Sequence, residues 1–209
     1  MRRGRLYLQL LIVGLCILGA GWYFYPRRFL PDPRALAEAE TRMWQAYYGD
    51  DPKLLATELV SVLREQYGLS YLRAAQIGSD LLDATLAFQR NRDNYEEAVL
   101  PHLERAYGRL RSAHGGSWDA GEAARAELDW WAARRTPGRD NPEEVGRAIA
   151  RLYAILYGKS NARIQEAGYL RARAANLRDR GGLAGPDGDW SEIQRLLEQS
   201  YTALVDGVR

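Results

Sequence analysis

Cysteine is almost missing from this 209-residue chain, and lysine, histidine, methionine and phenylalanine are scarce. The single cysteine, Cys16, excludes an intramolecular disulfide and any thiolate cluster around a metal. The two histidines, His102 and His114, stand in no metal-ligand spacing with each other or with a carboxylate. No Glu-x-x-His pair of the di-iron bundle kind, no Gly-x-Ser-x-Gly elbow and no phosphate loop is written anywhere. These absences argue for no cofactor and against an enzyme. They leave room only for an acid–base site assembled from residues distant in sequence. Strand-like alternation is missing too, so an all-α fold is expected. Lys53 and Lys159 are the only lysines, a bias of base composition that points to a bacterial source.

Charge divides unevenly along the chain. Of 29 Lys and Arg, six (Arg2, Arg3, Arg5, Arg27, Arg28 and Arg34) fall in the first 34 residues, against the single acid Asp32. With 27 acids in all, the remainder carries 23 bases and 26 acids. The folded part is therefore mildly acidic, which gives no support for nucleic acid as a partner.

Long apolar runs are confined to residues 6–25, LYLQLLIVGLCILGAGWYFY, where Gln9 is the only strongly polar side chain. Twenty residues at about 1.5 Å each match a hydrocarbon core of roughly 30 Å. Arginines flank both ends, and Trp22 to Tyr25 form an aromatic belt at one of them. The reading is a basic N-terminus at 1–5, a transmembrane helix at 6–25 and a Pro/Arg spacer at 26–34. A cleaved signal peptide fits less well, because the small residues at 19–21 run straight into four aromatics. The arginine balance favours, by a small margin, a single-pass protein of the bacterial inner membrane with its domain outside the cytoplasm.

The rest of the chain is written twice. Pro52, Tyr67, Gly68, Ser70, Arg73 and Gly78 recur 90 positions on as Pro142, Tyr157, Gly158, Ser160, Arg163 and Gly168. Leu55, Leu59, Val62 and Leu63 keep step with Val145, Ile149, Leu152 and Tyr153. Glu40 and Trp44 return as Glu127 and Trp131 at an offset of 87, because the loop at 136–141 is three residues longer. Leu103, Glu104, Tyr107 and Leu110 return as Leu197, Glu198, Tyr201 and Leu204. Apolar spacing and caps predict helices over 33–48, 52–67, 70–90, 95–113, 120–135, 142–157, 160–178 and 190–208. The fourth is expected to bend or break near Pro101. The expected fold is two four-helix repeats, 35–114 and 118–209, packed about a pseudo-twofold axis as one compact domain.

The repeated residues are the candidates for specific roles. Glu40 is expected to pair with Arg73, and Glu127 with Arg163, each under its Trp. Trp44, Trp131, Tyr67 and Tyr157 are expected in the repeat core. Adjacent helical residues point about 100° apart, so with Trp131 inside, Trp130 is expected nearer the surface. There, Trp130 with Arg134 and Arg135 would form a binding patch. The leading functional reading is therefore a membrane-anchored interaction or scaffold module with a protein partner. The alternative is a small-molecule sensor or carrier with an aromatic pocket between the repeats, and the third is an uncharacterised enzyme.

Overall fold

The computed structural model describes residues 29–91, 93–180 and 189–209. The apolar segment 6–25 lies outside these residues. Among the described residues no helix is long and apolar enough to cross a membrane.

Eight helices and no strand occur among the described residues: α1 Pro33–Tyr48, α2 Pro52–Tyr67, α3 Tyr71–Arg90, α4 Tyr95–His114, α5 Ala120–Ala133, α6 Pro142–Tyr157, α7 Ala162–Arg180 and α8 Trp190–Val208. Punctuation sets most of the boundaries. Asp51 and Asn141 cap α2 and α6 through their side chains, each followed by a proline whose missing N–H costs nothing there. Gly68 and Gly158 close the same two helices at φ of 64° and 66°, a conformation that a side chain would strain.

The expected break at Pro101 does not occur, and the starts of α3 and α7 show how each is capped. Pro101 sits inside α4 without ending it. The proline deprives only the Glu97 carbonyl of its partner, and Glu97 is exposed to water. Ser160 does not cap α7. Asn161 does, accepting the Ile164 N–H at 3.0 Å while its amide donates to the Gly207 carbonyl at 2.9 Å. A residue that can cap one helix and tie down the end of another displaces one that can only cap. Ser70 stands at the start of α3, but its hydroxyl makes no capping bond.

The helices form a closed ring. Each packs on its neighbours in sequence, and α8 packs back on α1. Buried side chains of both repeats, from Leu36 to Val208, belong to one contiguous core. Helix pairs joined by short connections pack antiparallel, so α1, α3, α5 and α7 all end at one rim of the ring. Glycine decides the tightest crossing. An atom added as Cβ on Gly168 of α7 would lie 2.3 Å from the Gly146 carbonyl oxygen of α6 and 2.8 Å from the Ala150 nitrogen.

Candidate functional site

Seven of the eight helices, all but α8, line a hollow of about 580 Å³ at the centre of the ring. That volume falls within the range of small-molecule sites. Its walls mix aromatic, aliphatic and polar side chains, with Trp44 of α1, Tyr107 of α4, Trp130 and Trp131 of α5 and Tyr153 of α6 among the aromatic ones.

The two expected Glu–Arg pairs are not formed. Glu40, 0% exposed, accepts from Arg171 Nε at 3.0 Å and from Arg171 Nη2 at 2.5 Å. It also accepts from the Tyr201 hydroxyl. Arg73 is exposed on α3. Glu127 accepts from the Tyr107 hydroxyl at 2.8 Å, while Arg163 is exposed and pairs with Glu166, one turn along its own helix, at 2.7 Å. The physical reason is position. Arg73 and Arg163 lie in or beside the first turn of α3 and α7, at the ring's edge, where an arginine keeps its hydration. The carboxylates lie midway along α1 and α5, facing inward.

The true repeated contact is Glu with Tyr, and it explains how the ring closes. Tyr107 of α4 reaches Glu127 of α5. Its counterpart Tyr201 of α8 reaches Glu40 of α1, so the seam between the chain's last and first helices reuses the joint between the two repeats. Burial, reinforced by the charge of the facing glutamate, lifts both phenols well above the usual tyrosine range. Both therefore remain donors to their carboxylates. Arg171 is specific to the second repeat, since Leu81 stands 90 positions before it. Burial alone would pull its guanidinium down, but Glu40 more than reverses this and holds it well above the ordinary arginine range.

Tyrosines floor the hollow. Gln66 of α2 donates to the Tyr157 hydroxyl of α6 at 3.3 Å, bridging two helices that are not neighbours in the ring. Burial pushes that phenol up to about 12. Tyr67, Tyr157 and Trp44 are buried as core residues. Trp131 is half-buried and packs against that core.

Arginines close the opposite rim. Arg134 donates to Asp179 Oδ1 at 2.8 Å and to the Tyr48 hydroxyl at 2.7 Å, tying α5, α7 and α1 together. Arg135 donates to the Phe88 carbonyl in the last turn of α3 at 2.7 Å, its guanidinium 3.5 Å from the Phe88 ring centroid. Cations are favoured here because helix C-termini leave carbonyls unpaired and carry negative partial charge.

No family model, curated protein or solved structure matches the chain.

The patch expected on the outside is thus turned inward. Trp130 is 6% exposed and is more buried than Trp131, the reverse of the expected order. In a ring a helix buries both flanks and its inner face, so two adjacent tryptophans can both be enclosed. Trp130 carries Arg171 on its ring, 5.0 Å from guanidinium carbon to centroid, and stands edge-on to Trp131 at 6.2 Å. The Trp130 Nε1 and the Tyr153 hydroxyl are buried and find no acceptor among the described residues. Two donors in that state gain most from an added acceptor. Among the described residues no group of three or more His, Cys, Asp or Glu could hold a metal.

Proposed function

We propose that this chain binds a small organic molecule in the hollow of its helical ring. The observation that carries the reading is the cavity of about 580 Å³, walled by aromatic and aliphatic side chains with polar and charged groups set among them. This moves ahead of the interaction or scaffold role, because the residues that motivated that role, Trp130, Arg134 and Arg135, all line the hollow. Arg134, Asp179 and Tyr48 form a latch of side chains that can part without unfolding a helix, which gives a ligand a way in.

Filling the hollow tests the proposal. Val62 of α2 is half-buried and faces the cavity, so Val62→Trp takes up ligand volume from the wall. A ligand at about a hundredfold its Kd adds roughly 2.7 kcal/mol to the natural chain, or about 5–10 °C in Tm for a chain of this length. Val62→Trp is expected to fold but to show no such shift across a panel of aromatic and aliphatic amphiphiles. Equal shifts in both proteins would place binding elsewhere and sink the reading.

We also propose that residues 6–25 tether the ring to a membrane, on the strength of their length, apolarity and aromatic belt. The full chain is then expected to stay with the membrane pellet through an alkaline carbonate wash. Release by the wash, with the N-terminus intact, would contradict the tether.

A further inference from the structure

We propose that the ligand is an organic cation, seated with its positive charge against Glu127. This rests on the hollow being a ligand site and names the class of molecule it takes.

The inference comes from pairing the charges that face the hollow. Arg171 is spent on Glu40, and Arg134 on Asp179. Arg135 and Asp140 are exposed at the rim, where water screens them. Glu127 is left over. It lines the hollow, half-buried, and among the described residues no cation stands within ion-pair distance of it. The Tyr107 hydroxyl donates to one of its oxygens, and a carboxylate has room for more. Its charge is felt at Tyr67 and Tyr107, both of whose phenols it helps to raise.

Comparison of the two repeats sharpens the point. Glu40 and Glu127 occupy equivalent places and each accepts a tyrosine from the preceding helix of the ring. Glu40 has an arginine and no contact with the hollow; where that arginine would stand for Glu127, the chain has Leu81, which lines the hollow. One repeat thus supplies its own cation and the other leaves the place open. The surroundings suit an incoming cation. Trp131 follows Glu127 by one turn on the same side of α5, clear of the arginines that stack on Trp130, while Tyr107 and Tyr67 face it from α4 and α2. A carboxylate at the base of aromatic walls is the environment in which alkylammonium groups are held by charge and cation–π attraction together.

Three probes of similar shape separate the outcomes: benzyltrimethylammonium, its uncharged carbon isostere neopentylbenzene, and 4-tert-butylbenzoate. Binding is read from tryptophan fluorescence, since Trp44, Trp130 and Trp131 line the hollow. The cation is expected to bind at least about tenfold tighter than the isostere, and Glu127→Gln, which keeps an acceptor for Tyr107, is expected to bring that ratio close to one. If the isostere or the benzoate binds the natural chain as well as the cation does, the hollow is a ligand site and the cation assignment is overturned. If none of the three binds, both readings fall. The comparison of probes on the natural chain decides the matter even where Glu127→Gln folds poorly.

Discussion

Arg171→Met is expected to lower the stability of the ring by about 3–5 kcal/mol, the loss typical of a buried ion pair stripped of one partner. Arg171 is 14% exposed and Glu40 is 0% exposed. The substitution therefore strands a carboxylate with one phenol for company, in a place water cannot reach. The loss belongs to the orphaned charge more than to the missing contact. Glu40→Met in the same protein should consequently restore part of the stability, because two apolar side chains carry no charge to desolvate, while the buried Tyr201 hydroxyl loses its acceptor. Chemical denaturation of the four proteins of that cycle measures the coupling directly. A double variant as unstable as the sum of the singles would mean that the two groups do not act as a pair.

Gly168→Ala should cost about 3 kcal/mol or more, whereas Gly78→Ala, at the matching position of the first repeat, should be neutral or stabilise by up to about 1 kcal/mol. The new methyl at 168 would meet backbone of α6, a carbonyl oxygen at 2.3 Å and a nitrogen at 2.8 Å, and neither can rotate away. Gly146 on the other side of the crossing is equally confined, its added Cβ lying 2.8 Å from the Tyr169 Cα. At Gly78 the nearest atoms are side-chain carbons at 3.5–3.8 Å, ordinary contact. There alanine removes glycine's backbone freedom from the unfolded chain and adds no clash. Thermal unfolding of the two variants tests this. Equal losses would mean that the α6–α7 crossing is no tighter than the α2–α3 crossing.

Repetition in a sequence reveals local conformation better than it reveals packing, and Gly78 and Gly168 recur in quite different surroundings. A recurring Gly, Pro or capping Asp/Asn marks a local conformation, and local conformation is written locally; α2 and α6 start and end where Pro52, Gly68, Pro142 and Gly158 place them. Partnership is different. Glu40 and Glu127 stand out as a repeated pair, yet Glu40 meets residues 131 and 161 positions away, Arg171 and Tyr201. Nothing in helical spacing carries information over that distance. The matched tyrosines Tyr107 and Tyr201 were visible as counterparts, and a search for recurring acid–phenol partners could have linked them to the recurring glutamates. Arg171 lies beyond such a search because it has no counterpart in the first repeat, where Leu81 takes its place. The asymmetry that hid it is the one that leaves Glu127 without a cation.

Trp130 and Trp131 teach a related lesson. A helix packed on one partner has one wet face, and two adjacent tryptophans would then have to divide between inside and outside. In a ring each helix touches two neighbours and the central hollow, so its enclosed arc is wider and the division fails. Sequence pattern identified the helices and their order; the closure of α8 on α1, and the hollow that closure encloses, arise from contacts between the two ends of the chain.

The most direct test of the central claim is the mass of the full-length protein, gently released from its own host and kept folded in the spectrometer. The account predicts a bound organic molecule that leaves on denaturation and is missing from Val62→Trp prepared in the same way. The bare chain mass in the natural protein, or the same adduct on both proteins, would contradict it.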